Sequence, residues 1–317
     1  MWKVMTPRKI AFGESAAKKF EYPKNSLVIT TTTPDIYNKW LDYMQIKNYD
    51  IYDKVTPDPA IETVEAIRKE YESKKDISAY IGLGGGSSMD VCKYLGKLTG
   101  IPKILIPTTF GTGAEMTTYA VISFEHKKKL LQDEAFLADT AIVDPYFLPG
   151  TPFNIMRNSA CDAAAQASEA YDSKLGNPFT RLFCREAFDI LEEAIINDKP
   201  DMLPYGAMLS GIGFGNASTT LGHALSYVFS NEGVPHGYAL SSCTTVAHKF
   251  NRSTYYERFK RICQKLKFEP LTLNQPLDKA ADVIMPDRGH LDNNPLIIAK
   301  DDVIKCLDEI INKNPLS

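Results

Sequence analysis

The feature that most constrains the fold is a strand that runs straight into three glycines and out again as a helix. Ile77-Ser-Ala-Tyr-Ile-Gly-Leu83 is a short apolar run. It meets Gly84-Gly85-Gly86, and helical spacing follows from Ser88 to about Leu98. The same rhythm surrounds it. Ser26–Thr30 reads as a buried strand, Asp35–Ile46 as a helix with Trp40, Leu41 and Met44 on one face, and Asn48–Tyr52 as a strand. Pro57-Asp-Pro59 is a turn, Ile61–Lys74 an amphipathic helix, and Lys103–Ile106 a further strand. Alternating strands and helices predict a mostly parallel sheet covered on both faces. After Asp144-Pro145 the texture changes to long helical stretches: 154–173, 178–196, 205–229, 237–250, 254–266 and 300–313. The predicted fold is an N-terminal α/β domain over 1–149 and an all-α helical-bundle domain over 150–317. The boundary falls near Leu148-Pro-Gly150.

With 317 residues the chain can bury a core without disulfides or structural metals. A net charge of −3, from 36 basic and 39 acidic residues, is no nucleic-acid or polybasic membrane footprint. Lys127-Lys-Lys129 is the one tight basic cluster and reads as a solvated turn. The six cysteines form no C-x-x-C pair, which suits buried thiols in a reducing cytoplasm. No stretch has the pattern of a secretory signal, and no apolar run approaches the ~20 residues that span a bilayer.

Two loops carry binding chemistry. Gly84-Gly-Gly-Ser-Ser-Met-Asp90 opens a helix. Glycines there let the backbone approach a diphosphate, and free amides with the helix dipole bind the anion. The spacing is not G-x-G-x-x-G, and a tight turn needing positive φ also explains it. Its place after a strand of an α/β unit favours phosphate. Pro107-Thr-Thr-Phe-Gly-Thr-Gly-Ala-Glu-Met-Thr117 follows the next strand, at the sheet edge where ligands of open α/β sheets bind.

The helical half holds a metal-binding pattern. His223 and His236 are thirteen residues apart across a helix-breaking Gly233-Val-Pro235, and Asp162 lies upstream in Cys161-Asp-Ala-Ala-Ala-Gln-Ala-Ser-Glu-Ala-Tyr171. One carboxylate and two imidazoles hold a divalent ion and leave a position for a substrate oxygen. A hydrogen-bonded Asp–His cluster without metal is the alternative.

In sequence order, these four motifs resemble the iron-containing (group III) alcohol dehydrogenases, relatives of glycerol dehydrogenase and dehydroquinate synthase. The resemblance covers essentially the full length. It implies that the α/β domain over 1–149 is dinucleotide-binding and that the helical domain over 150–317 holds metal and substrate, with hydride transfer between a nicotinamide cofactor and an alcohol–aldehyde pair, an active site between the two domains, and a homodimer or larger homo-oligomer. It implies a diphosphate cradle from Gly84, Gly85, Gly86 and Ser87, with Thr108, Thr109 and Thr112 along the adenosine and phosphate side. Asp90 is expected near the nicotinamide ribose or substrate and Lys129 at the adenine end.

Three departures matter. The family usually supplies an Asp and three His to the metal, Fe²⁺ or Zn²⁺. Here Gln166 takes one ligand position, leaving either three ligands (Asp162, His223, His236), a weak fourth in Gln166, or a lost metal. Tyr227 stands where many relatives have a second His, as a proton relay, a substrate-orienting group or a packed aromatic. Thr30–Thr33, with Thr31 among them, replaces an acidic ribose ligand and favours NADP over NAD. Of the remaining histidines, His248 is expected to be structural, and His126 and His290 to lie at the surface. A metal-independent reductase of the maleylacetate type and a non-catalytic nucleotide-binding paralogue are the competing readings.

Overall fold

The computed structural model describes residues 1–71, 74, 76–125 and 127–316. The chain divides into two compact units, Val4–Thr151 and a second that runs from Pro152 onward and includes Met1–Lys3.

The first unit contains β1 (Lys9–Phe12), α1 (Ala16–Lys19), β2 (Ser26–Ile29), α2 (Pro34–Met44), β3 (Tyr49–Tyr52), α3 (Ile61–Tyr71), β4 (Ala79–Gly84), α4 (Gly86–Thr99), β5 (Lys103–Pro107), β6 (Tyr119–Phe124), β7 (Lys127–Gln132) and β8 (Thr140–Val143). Six strands form one all-parallel sheet in the order β1-β8-β5-β4-β2-β3. The inner strands β2, β4, β5 and β8 are buried along their whole length, as a sheet covered on both faces requires, while β1 and β3 are more exposed at its edges. From β2 the chain steps outward to β3, then crosses back to β4 on the other side. The carboxyl ends of β2 and β4 therefore flank the point where strand order reverses, the usual ligand crevice of such sheets.

Several elements were not legible in the sequence. β1 and β8 are among them. The Lys127–Lys129 cluster is not a turn. It lies on β7, an exposed strand paired antiparallel with β6 in a separate two-stranded ribbon. His126 lies outside the described residues, as do positions 72 and 73 of the expected 61–74 helix.

The second unit is helical: α5 (Phe153–Asp172), α6 (Pro178–Ile196), α7 (Leu203–Phe214), α8 (Leu221–Asn231), α9 (His236–Asn251), α10 (Tyr256–Lys265), α11 (Leu277–Ile284), α12 (Arg288–Asn293) and α13 (Lys300–Asn312). The expected single helix over 205–229 is two. Gly215 ends α7, Ser218 turns at φ +57°, and the β-branched pair Thr219-Thr220 is extended or irregular before α8 restarts. α11 and α12 were not anticipated. No described helix is long and apolar enough to cross a membrane.

Close helix packing rests on glycines. A Cβ on Gly213 of α7 would stand 2.5 Å from Cys184 Sγ and 3.2 Å from the Cys184 amide nitrogen on α6. Gly213→Ala should therefore cost about 1–3 kcal/mol of stability by overpacking, read as a lower Tm in thermal unfolding followed by circular dichroism.

Candidate metal centre and nucleotide cradle

Three helices build the metal cluster. Asp162 and Gln166 stand one turn apart on the same face of α5. His223 lies in the first turn of α8. After α8, Gly233 at φ +90° and the Val234 amide bonded back to the Phe229 carbonyl (3.1 Å) reverse the chain. Pro235 then opens α9 with His236 as its first residue. Gly237 allows the close approach that follows, since a Cβ there would fall 2.0 Å from the Asn158 carbonyl oxygen on α5.

The two imidazoles end 5.4 Å apart between ring centres. Asp162 Oδ1 lies 3.8 Å from His223 Nε2 and 3.9 Å from His236 Nε2, and one donor atom from each residue falls within 4.8 Å of the others. Donors bonded to one Zn²⁺ at ~2.0–2.2 Å stand about 3.3–3.6 Å apart, so the three residues are gathered as an ion needs and would have to draw together, Asp162 to each histidine by a few tenths of an ångström. Asp162 and His223 are buried, and the His236 side chain is 40% exposed, so the cluster opens on that side. The Gln166 amide nitrogen donates to Asp162 Oδ1 (2.9 Å), while its Oε1 is buried without a partner. An unpaired oxygen beside Asp162 is the donor chemistry of a fourth ligand, reached by turning the amide over.

Glu169, two turns after Asp162, completes the arrangement. Its carboxylate accepts from the Thr220 hydroxyl (2.8 Å) and the Gly222 amide (2.7 Å), and pairs with His223 Nδ1. That bond fixes the imidazole and leaves Nε2 facing Asp162. Burial alone would raise the Glu169 carboxyl, but His223 outweighs it and the pKa falls to about 2. Burial would likewise depress His223, yet Glu169 and Asp162 together lift it to about 9. Without an ion, a proton on His223 takes the place of the positive charge that the two carboxylates demand. Glu169 is a functional residue that pattern reading missed. Its signal was the seven-residue spacing from Asp162, which keeps both on one helix face.

In the first unit, Gly84, Gly85 and Gly86 join β4 to α4. Gly84 adopts φ +152°, and a Cβ on it would meet Ser88 Oγ at 2.6 Å and Thr31 Oγ1 at 3.7 Å. A Cβ on Gly85 would meet Thr109 Oγ1 at 3.1 Å, and one on Gly86 would meet Thr112 Cγ2 at 3.3 Å. Thr31, Thr109 and Thr112 thus ring the turn at the crevice between β2 and β4. Thr108 donates its amide to the Gly84 carbonyl (3.0 Å). The first turn of α4 has no side-chain cap, and Ser88 Oγ is buried without a partner. Uncapped amides, a lone hydroxyl and no Cβ in the way fit a phosphate group. Ser87 lies in the same turn.

Residues 7–145 match the iron-containing alcohol dehydrogenases, and residues 157–286 match the C-terminal region of the same Fe-containing alcohol dehydrogenase family. The chain is 31% identical over 288 residues to 4-hydroxybutyrate dehydrogenase of Clostridium kluyveri, covering 82% of this chain and 72% of that one. The chain belongs to the iron-containing alcohol dehydrogenase family. It is 34% identical over 211 residues to long-chain-alcohol dehydrogenase 1 of Geobacillus thermodenitrificans, where the match covers 56% of this chain and about half (52%) of the relative. Sulfoacetaldehyde reductase from Bifidobacterium kashiwanohense, solved in complex with NAD⁺, shares the fold at TM-score 0.88 and 20% identity, covering 98% of this chain and 99% of that one.

The other singled-out residues fall as follows. Asp90 is buried on α4 and engaged: its Oδ2 accepts from the Val121 amide (3.1 Å), and its Oδ1 lies 3.9 Å from the fully buried Lys93 ammonium. Burial raises the Asp90 carboxyl to about 6 against the pull of Lys93. Lys129 lies on the exposed face of β7, its ammonium 5.2 Å from the Phe124 ring centre. His248 is buried and bonded through Nε2 to Ser168 Oγ (2.8 Å), a structural role. Tyr227, one turn after His223, is partly buried, and burial pushes its phenol well above the ordinary range. His290 corrects the surface expectation. It is buried, and its ring lies parallel to that of His223 at 6.2 Å. The loop that carries it folds into α12, with Asp287 as N-cap, and that short helix packs against α8.

Because Glu169 holds His223, Glu169→Gln should weaken Zn²⁺ binding by about 10–100-fold. Competition with a chromophoric chelator reads this directly, and an unchanged affinity would remove Glu169 from the site.

Proposed function

We propose that this chain is a metal-dependent alcohol dehydrogenase or aldehyde reductase. It transfers a hydride between NAD(P)(H) and a small alcohol or carbonyl compound. The observation that carries the reading is the Asp162–His223–His236 cluster braced by Glu169, in a chain that also carries the glycine–threonine cradle. In this assignment the unit Val4–Thr151 binds the dinucleotide and the helical unit binds metal and substrate.

Asp162, His223 and His236 hold a divalent ion, Fe²⁺ or Zn²⁺, with Gln166 Oε1 as a weak neutral fourth donor. When bound, the ion would supply Lewis-acid polarisation of the substrate oxygen and the nicotinamide cofactor would supply the hydride chemistry. The chain's own residues do the rest. Gly84, Gly85, Gly86 and Ser87 offer backbone amides to the diphosphate, and Thr108, Thr109 and Thr112 flank it. Thr31 stands at the ribose without a carboxylate to repel a 2′-phosphate, which supports NADP over NAD. Lys129 is assigned to the adenine end. Asp90 positions the β6–β7 ribbon beside the cradle through Val121. Tyr227 keeps its proton and orients the substrate as a donor. The six buried free thiols suit the reducing cytoplasm, and the family resemblance favours a homodimer.

Protein purified without chelator should contain one iron or zinc per chain and oxidise NADPH with short aldehydes. Chelation should abolish turnover and metal should restore it. Turnover that survives full metal removal would favour instead a metal-independent reductase, the reading to which Gln166 lends support. Nucleotide binding with no turnover on any carbonyl would leave a non-catalytic paralogue. Thr31→Asp should shift the NADPH:NADH ratio of kcat/KM toward NADH by about tenfold, the size of one lost charge-assisted contact.

A further inference from the structure

Three ionisable side chains are buried together in the α/β unit, one helical turn along α4 from the glycine cradle. Lys93 is fully buried, Glu115 is 3% exposed and Asp90 8%. Asp90 follows Gly86 by four residues and shares its face of α4. Glu115 comes from the loop after β5. Thr112 of that loop lies over Gly86, Gly113 turns at φ +57°, and the short turn Ala114–Met116 packs against α4 and β5. The Lys93 ammonium donates to neutral oxygens, the Tyr119 carbonyl (2.6 Å) and the Thr117 hydroxyl (3.2 Å), while Asp90 Oδ1 stands off at 3.9 Å. The Glu115 carboxylate accepts from its own backbone amide, and no side chain among the described residues donates to it. Two acids thus share one base that is hydrogen-bonded to neither. Burial raises Asp90 to about 6 and Glu115 to about 7, and lowers Lys93 to about 8. The other titratable groups that face Lys93 are Lys103 of β5, paired with Asp139 at 3.3 Å, and the Cys92 thiol of α4, which burial pushes up to about 12 and keeps neutral. With Asp90 and Lys93 offsetting each other, Glu115 decides whether the cluster is neutral or carries one excess negative charge.

We infer that the carboxylate of Glu115, left unbalanced in this cluster, tilts cofactor binding toward the oxidised nicotinamide and thereby favours aldehyde reduction among the bound species. The inference rests on the dinucleotide reading of the cradle, for which Ser88 Oγ, buried without a partner two residues before Asp90, is the independent sign of a missing anion. The two redox states of the cofactor differ by one hydride. The oxidised ring is a cation and the reduced ring is neutral. Transfer of hydride from the reduced ring to an aldehyde carbon breaks a ring C–H bond and leaves the ring positive, while the carbonyl oxygen takes up one proton from solvent. Only one ribose separates that ring from the diphosphate, so the charge arises in the neighbourhood of the cradle. A buried carboxylate there is screened little by water or salt and acts on the ring without touching it. Its repulsion of the diphosphate is the same in both redox states and cancels in their ratio. One charge at about 10 Å and an effective dielectric constant of about 20 changes that ratio by about tenfold. A charge balanced by a bonded lysine would give no such bias, which is why the loose pairing of Glu115 matters.

The test measures dissociation constants of NADP⁺ and NADPH, and of NAD⁺ and NADH, by calorimetry on the metal-loaded protein at about pH 6 and about pH 8, on either side of the Glu115 value. The readout is the ratio of reduced to oxidised Kd within each pair, in which effects on the shared diphosphate drop out. In the wild type this ratio should rise about fivefold from the lower to the higher pH, as Glu115 gives up its proton. Glu115→Gln should lower the ratio at the higher pH by about tenfold and flatten its pH dependence. Glu115→Asp, which keeps the charge, should retain most of both. A ratio that Glu115→Gln leaves within about twofold of the wild type, or a wild-type ratio that does not change with pH, overturns the inference and leaves the dinucleotide reading standing. Failure of all four nucleotides to bind overturns both. If Glu115→Gln does not fold, the wild-type pH profile decides, a rise supporting the inference and a flat profile overturning it.

Discussion

The helical unit's site depends on one carboxylate. Glu169 accepts from the hydroxyl of Thr220, the backbone amide of Gly222 and Nδ1 of His223, so a single side chain on α5 fixes how α8 begins. The break between α7 and α8 makes this possible. Continuous helix from 205 to 229 would tie the Gly222 amide to a carbonyl four residues earlier, leaving nothing for Glu169 to hold. Gly222 also has to be glycine, because a Cβ would stand 2.6 Å from Thr244 Oγ1 and 2.9 Å from Glu169 Oε1. The helix interruption, the glycine and the buried carboxylate are one device, and its product is an imidazole aimed at Asp162.

The α/β unit solves a different problem by the same means, removing side chains where something must come close. Gly84 takes a backbone conformation that side chains disfavour, and a Cβ at Gly84, Gly85 or Gly86 would enter space bordered by Ser88, Thr31, Thr109 or Thr112. The threonines come from the ends of β2 and from the loop after β5, which hydrogen-bonded pairing with β4 brings alongside the turn. Parallel register therefore assembles the cradle, and the glycines keep it open.

Much of this was legible in the sequence, for physical reasons that differ from part to part. Buried parallel strands are near-continuous apolar runs, so β2, β4 and β5 announced themselves, as did the amphipathic α5, α6 and α13. Asp162, His223 and His236 were visible because few residue types bind metals and their spacing is characteristic. What the sequence hid depends on tertiary partners. β7 carries three lysines and looks like a solvated turn until β6 pairs with it. His290, in a polar stretch rich in Asp and Asn, gives no periodic sign of burial. Only the Asp287 cap and the packing of α12 beside α8 bring its ring to His223. A histidine's surroundings, unlike a strand's, are not encoded in its neighbours.

Gln166 and Tyr227 both stand where the family resemblance leads one to expect imidazole, and the two changes are not equivalent. Gln166 is neutral and its amide nitrogen is bonded to Asp162, so in the proposed metal site it would offer the ion a weaker donor than imidazole, and only by turning its amide out of that bond. Tyr227 exchanges a group that titrates near neutrality for a phenol that burial keeps protonated. The imidazole next to it is His290, contributed by another helix and held by its own Asp. An imidazole thus still lies beside the cluster, so a tyrosine at 227 does not by itself mark a silent site.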